Sequence, residues 1–260
     1  MSEANAPLYL SRLILNLNCR QVRSELAHQY EMHRTVMHAF DGYPVNDGEN
    51  VREKFNVLFR ADVDERSCRV VVYVQSTVEP DWSYLDDYKS YLFVGADLSN
   101  PACKNVVASY RGLRNGQAIS FSLRANPTKR IFKPSKGDEI LKGKRVALLR
   151  EEEQIAWLVR KGYEREKGCP GGFEILAKEG QDHNGEIRQI GHVNTAREEK
   201  QTGYKKDKRN EERVHRMTHL AIRFDGLLRI TDADAFRSTI IRGIGPAKAF
   251  GCGLMLVRPV

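Results

Sequence analysis

Apolar and polar positions along the chain follow two rhythms, a period of about two residues and a period of about 3.6, and the pair of rhythms occurs twice. Leu8–Asn16 interleaves leucine and isoleucine with polar residues, which predicts a strand. From Gln21 to Phe40 the side chains Val22, Leu26, Met37 and Phe40 return near one side of a helix, with Asn16 or Asn18 as candidate cap. Phe55–Arg60 and Arg69–Gln75 read as a β-hairpin, and Ala118–Arg124 alternates as another strand. Glu151–Gly162, with Ile155, Leu158 and Val159, predicts a second amphipathic helix, and Phe173–Ala177 a short strand. The stretch from Lys178 to Arg213 has almost nothing to bury and reads as a mobile loop or an extended hairpin. His219–Ile230 reads as a hairpin turning at Asp225-Gly226, because that dipeptide suits the positive backbone angles of a two-residue turn. Thr231 or Asp232 then caps a helix through Ile241, and Gly253–Arg258 is a final strand. Strand, helix, hairpin and strand thus recur. Two αβ sandwiches in tandem, 1–145 and 146–260, fit this order better than the regular crossovers of a Rossmann domain.

Composition agrees with a packed protein. The chain has 260 residues, 41% of them hydrophobic, which excludes a disordered or low-complexity chain. No apolar run approaches the roughly 20 residues of a membrane span, and Met1–Pro7 lacks the basic-then-apolar order of a leader. A cytoplasmic location is the expectation. Five cysteines, Cys19, Cys68, Cys103, Cys169 and Cys252, include no CxxC pair and no histidine at zinc-ligand spacing. They read as reduced, packed thiols, and neither metal nor cofactor is expected. Lysine and arginine number 42 against 34 acids, a surplus of eight positive charges. That suits a polyanionic partner, although ordinary solvated surfaces carry as much.

Candidate chemistry begins in the first helix, where Tyr30 and His33 are three residues apart and share a surface. A phenol and an imidazole on one bound group suit RNA cleavage. The ribose 2′-hydroxyl is itself a nucleophile, and needs only a proton removed while the departing 5′-oxygen gains one. The alternative packs Tyr30 on Leu26 and ties His33 to a backbone carbonyl. His28 and His38, each five residues from His33, point elsewhere and read as surface residues. His183, His192, His215 and His219 show no ligand spacing and read as exposed. A second signal is the segment Arg242–Gly253, which holds Gly243, Gly245, Lys248, Gly251 and reads as a loop laid on a phosphate backbone or on a partner sheet. It lies after a helix and before a strand, which is neither a dinucleotide fingerprint nor a Walker loop. A third is the concentration of basic side chains Arg124, Lys129, Arg130, Lys133, Lys136, Lys142, Lys144 and Arg145 around Asn126, either a phosphate-neutralising patch or a solvated interdomain loop.

Together these residues resemble the CasE family, the endoribonuclease subunit of the Cascade CRISPR complex. The resemblance is carried by Tyr9–Asn16, Tyr30-Glu-Met-His33-Arg-Thr, Gln75–Trp82, Leu123–Arg130, Lys144–Leu148 with Ala156-Trp157-Leu158, and the terminal glycine loop, and it spans nearly the whole chain. It implies an α+β fold of two tandem ferredoxin-like (RRM-like) βαββαβ domains. It further implies a metal-independent endoribonuclease that cuts CRISPR repeat stem-loops in precursor crRNA, with Tyr30 and His33 catalytic. Arg34, Arg124, Asn126, Lys129, Arg130, Lys144, Arg242, Lys248 and the loop glycines Gly243, Gly245, Gly251 and Gly253 are the expected RNA contacts. Expected partners are the repeat stem-loop, as pre-crRNA and mature crRNA, and other Cascade subunits, with no membrane. A noncatalytic RNA-hairpin-binding subunit of the same ancestry is the rival. Gln29 stands where a proline is familiar in the family, and the Lys178–Arg213 region is longer and more polar than its pattern.

Overall fold

The computed structural model describes residues 7–64, 69–95, 99–131, 143–163, 170–181, 187–191, 193–206 and 214–260, of which 64, 178–181, 187–191, 197–206 and 214–218 are described as backbone alone. β1 (Tyr9–Leu15) leads into α1 (Arg20–Ala27), α2 (Gln29–His38) and α3 (Val51–Lys54), followed by β2 (Leu58–Asp64) and β3 (Arg69–Ser76). A 3-10 turn at Ser83–Asp87 precedes β4 (Ala102–Asn105) and α4 (Val107–Arg111). Next come β5 (Ala118–Ala125), β6 (Thr128–Arg130), β7 (Arg145–Ala147) and α5 (Glu151–Tyr163). They are followed by β8 (Phe173–Ile175), β9 (Ala177–Gln181), β10 (Ile187–Gly191), β11 (Val193–Lys206) and β12 (Val214–Ile230). α6 (Ala233–Arg242), a 3-10 turn at Lys248–Phe250 and β13 (Met255–Pro259) end the chain.

One antiparallel sheet has the order β2-β3-β1-β4 and a second the order β11-β12-β5-β13, with β8 also on β12. Each sheet sets its first strand between its third and fourth, which is the ferredoxin-like arrangement in tandem. In the first unit the 3-10 turn at Ser83–Asp87 stands where the second helix would be. Alternation of side chains fills one face of each sheet. Leu13 opposes Val72 and Leu15 opposes Val70, covered by Val22, Met32, Val36 and Phe40. In the second unit Ile119, Phe121 and Leu123 pack with Trp157, Leu158, Phe236 and Ile240. No helix among the described residues is long and apolar enough to cross a membrane.

Several expectations change. The strand at 118–125, assigned by pattern to the first sandwich, pairs with β12 and β13, so it is the central strand of the second sheet and precedes the expected division at 145. Asp225-Gly226 makes no turn. Asp225 faces Asn194 of β11 on one side and Ser122 of β5 on the other, and the buried neighbours Phe224 and Leu228 hold β12 straight through the sheet. Local turn preference yields here to two flanking strands. The polar stretch from Lys178 contains β9 and β10, which pair with each other, and β11, which pairs with β12 as far as Lys206 opposite Val214. Asn16 and Asn18 do not cap α1; its cap position is Cys19, without a side-chain bond. Asp232 does cap α6, accepting from the backbone N–H groups of Asp234 and Ala235. Cys19, Cys103 and Cys252 are in no disulfide, whereas Cys68 and Cys169 lie outside the described residues.

Two buried polar side chains join the units. Arg60 on β2, 1% exposed, grips Asp62 through Nε and Nη2 at 2.8 and 2.7 Å and donates from Nη1 to the carbonyl and hydroxyl of Ser122 on β5. Gln75 on β3 donates to the carbonyls of Ile240 and Ile241, two acceptors left open by the end of α6. Replacing Arg60 leaves the Asp62 carboxylate without its guanidinium and the units without their bridge. Arg60→Met is expected to lose about 2–4 kcal/mol in urea unfolding, with Arg60→Lys recovering only part because an ammonium cannot make the paired grip. A loss under about 0.5 kcal/mol would show that the bridge is not stabilising.

Candidate active site

The single helix expected over Gln21–Phe40 is two. At His28 the backbone leaves helical geometry (φ −130°, ψ 77°) and α2 starts afresh at Gln29. Buried Glu25 on α1 accepts from Thr35 of α2, from Gln21 and from Tyr91, which fixes the angle of the break. Met32 and Val36 on α2 then enter the first core. Tyr30 and His33 come to the neighbouring flank, half-buried, with ring centroids 5.8 Å apart.

His33 stacks at 14° on Phe59 of β2, and Tyr30 meets Phe250 of the terminal loop at 5.8 Å. Phe250 in turn lies 4.3 Å from His219 of β12, whose Nδ1 accepts from Asn126 Nδ2. A row of rings therefore crosses from α2 to the second sheet. Burial, helped by the charge of Arg52, lowers the His33 pKa from 6.5 to about 4. Its Nδ1 is enclosed without a hydrogen-bond partner, so Nε2 is the nitrogen available to a substrate. Burial also lowers the pKa of His219.

The glycine loop is fixed to both units. Ile244 N–H donates to the Gly253 carbonyl and Gly253 N–H to the Arg124 carbonyl. Arg124, 3% exposed, turns its guanidinium onto the carbonyls of Phe250 and Gly251, both at 2.9 Å. Lys248 Nζ donates to the carbonyl of Arg242. A Cβ on Gly251, where φ is +69°, would sit 2.9 Å from Arg124 Nη1 and 3.2 Å from Gln29 Oε1. A Cβ on Gly243 would meet Leu58 of β2 at 2.6 Å. At Gly243 and Gly251 the missing side chain lets the loop pack against Leu58, Arg124 and Gln29, which agrees with one of the two readings the sequence left open.

A family model described as "CRISPR associated protein" matches residues 8–259. The chain is 34% identical over 259 residues to the CRISPR-associated endoribonuclease Cse3 of Thermus thermophilus, covering 97% of this chain and all of that one. It is 32% identical over 153 residues to the Cascade subunit CasE of Escherichia coli, covering 57% of this chain and 61% of that one. The chain belongs to the CasE/Cse3 family. Among solved structures, Cse3 bound to a 19 nt RNA superposes with a TM-score of 0.67 at 32% identity over 97% of this chain and all of that one. Cas6e of Escherichia coli K-12 superposes with a TM-score of 0.57 at 26% identity over 97% of this chain and all of that one.

Within this family member the remaining expected residues separate into three groups. Arg34 is exposed beside His33 and paired with Glu31 at 3.2 Å. Arg124 and Asn126 are not surface contacts: both are buried, the first holding the glycine loop and the second His219. Lys129, Arg130 and Arg145 are exposed on the two-stranded ribbon of β6 and β7, which leaves the core just after Asn126, and Lys144 is exposed immediately before β7. Lys129 is also bound to Glu153 at 2.8 Å. Lys133, Lys136, Lys142, His183 and His192 lie outside the described residues, and His215 is described as backbone alone. His28 and His38 are exposed as expected. His219, expected on the surface, is half-buried against Phe250 because β12 enters the second sheet there. Sequence reasoning also missed Phe59, Phe250 and Arg52. Aromatic residues in a strand and a loop read as core, and Arg52 lies on a four-residue helix with too few turns for a periodic signal.

The depressed His33 pKa has a stability consequence. Between about 6.5 and 4 the unfolded chain binds a proton that the folded one does not, so this residue's contribution makes stability fall as pH drops through that window. Melting temperatures measured across it should decline less steeply for His33→Gln than for the parent chain; parallel slopes would contradict the burial of a neutral imidazole.

Proposed function

We propose that this chain is an endoribonuclease of CRISPR RNA processing that cuts repeat stem-loops in precursor crRNA without a metal, through Tyr30 and His33. The observation that carries the reading is the Tyr30–His33 pair: two proton-transfer groups 5.8 Å apart at the seam of a tandem ferredoxin-like chain of the CasE/Cse3 family. Relatives named as an RNA-cleaving enzyme and as a Cascade subunit support the substrate and the assembly, as does the solved complex of Cse3 with an RNA representing a pre-cleavage state.

Burial holds the His33 ring neutral in the free protein, with its pKa lowered to about 4, and in this reading it takes the part of the base. Its Nε2 takes the proton of the 2′-hydroxyl. The 2′-oxygen then bonds to phosphorus, the bond to the 5′-oxygen breaks, and that oxygen takes a proton from Tyr30 or a water. The products are a cyclic phosphate and a 5′-hydroxyl end. Holding the 2′-oxygen in line with the leaving oxygen supplies much of the acceleration. The exposed cations of the β6–β7 ribbon and Arg34 hold RNA phosphates, and recognition of the stem rests on shape and backbone with base contacts at its foot. The cut repeat remains bound as the protein takes its place among other Cascade subunits.

His33→Ala is expected to abolish cleavage of a repeat hairpin while leaving its affinity nearly unchanged, as read by single-turnover cleavage and filter binding. Cleavage by that variant would remove His33 from the chemistry. The same assay in EDTA is expected to run at full rate, and inhibition there would identify a metal-dependent nuclease. Lys129→Ala with Arg130→Ala should weaken binding and lower the slope of log affinity on log salt by about one per lost phosphate contact; an unchanged slope would take the ribbon out of the interface.

A further inference from the structure

Next to the Tyr30–Phe250 contact lies a hollow of about 330 Å³ whose walls are Arg52 on one side and residues 245–250 on the other, Lys248 and Phe250 among them. Its volume is at the small end of ligand sites, which span about 300–1,000 Å³. Two of its residues are basic and none is acidic. The loop bends around it through left-handed backbone at Gly245 and Ala247 (φ +84° and +65°).

Arg52 is held for a task at this place. Asn50, the cap of α3, accepts from the Arg52 backbone N–H at 3.0 Å, and the Arg52 carbonyl accepts from Val57 at the entry to β2. The Arg52 side chain is largely enclosed, 16% exposed, and its guanidinium pairs at 2.6 Å with Glu53, whose side chain is 69% exposed. An exposed carboxylate partner can be exchanged for a phosphate at little cost, because it regains water on release. The charge of Arg52 also reaches His33 strongly enough to oppose its protonation.

We propose that Arg52 is a further catalytic residue: its guanidinium, with the Lys248 ammonium across the hollow, receives the non-bridging oxygens of the phosphodiester that His33 acts on. The inference rests on the endoribonuclease reading and adds the group that bears the charge building on those oxygens as the 2′-oxygen attacks. A guanidinium presents paired donors that match two phosphate oxygens, and a positioned donor of this kind acts in the transition state more than in binding. No proton or electron is transferred by Arg52.

The test is single-turnover cleavage of a repeat hairpin at saturating protein, with either a normal phosphate or a non-bridging phosphorothioate at the scissile position. Arg52→Ala is expected to slow cleavage of the normal substrate about 10²- to 10³-fold, with hairpin affinity held within about tenfold. The penalty for sulfur seen in the parent chain should shrink in this variant, since the group that senses the oxygen is gone. Arg52→Lys, which keeps charge and most of the side-chain packing, should recover part of the rate and serves if the alanine variant does not fold. An unchanged rate, a sulfur penalty as large as in the parent chain, or a loss confined to affinity would overturn the role of Arg52 while an inactive His33→Ala leaves the endoribonuclease reading standing. Full activity of His33→Ala would instead strike that reading itself.

Discussion

The grip of the buried Arg124 guanidinium on the carbonyls of Phe250 and Gly251 is the constraint on which the site depends. Arg124 belongs to β5, the central strand of the second sheet, so its position is set by that unit's core. The loop it holds carries Phe250 onto Tyr30 of the first unit. A charged donor satisfying two carbonyls away from water is worth more than the same bonds at a surface. The glycines matter because a side chain at Gly251 would push into the guanidinium and Gln29, and one at Gly243 into Leu58. Arg60 and Gln75 make the corresponding joints from the first unit to β5 and α6.

The electrostatics of the site follow from this seam. His33 is stacked on Phe59 and enclosed at Nδ1, so its environment favours the neutral ring. Cations gather here, several of them paired with carboxylates: Arg52 with Glu53, Arg34 with Glu31 and Lys129 with Glu153. Arg52 and Lys248 face the same hollow, and the β6–β7 ribbon sets out from Asn126, which is itself tied to the ring row through His219. A neutral imidazole beside fixed positive charge fits the proposed reading, in which a polyanion's own hydroxyl attacks. The same features would serve poorly as a stabilising core, since an unpartnered buried nitrogen costs free energy.

Reading the sequence, the strand and helix periods were enough for two αβ sandwiches and for most element positions, because burying one face of an element leaves its mark locally. That Tyr30 and His33 share a flank was legible for the same reason, since they stand three residues apart in one helical stretch; a catalytic role for them came only from the family resemblance. The Asp232 cap was legible from side-chain chemistry alone. The break at His28 was not, since it is set by Glu25 bonding to Thr35 and to the distant Tyr91.

The chain's own order of residues determined which side chains could do chemistry and which elements they would ride on. Tertiary structure decided everything that depends on contact between distant segments. It put β5 in the second sheet, carried β12 straight through Asp225-Gly226, enclosed Arg124 and Asn126, and brought Arg52, His219 and Phe250 to the seam. Hydrophobic periodicity reports only that a face is buried. Which face it meets is settled by packing between elements far apart in the chain, as β5 and β12 are, and no local pattern records that choice.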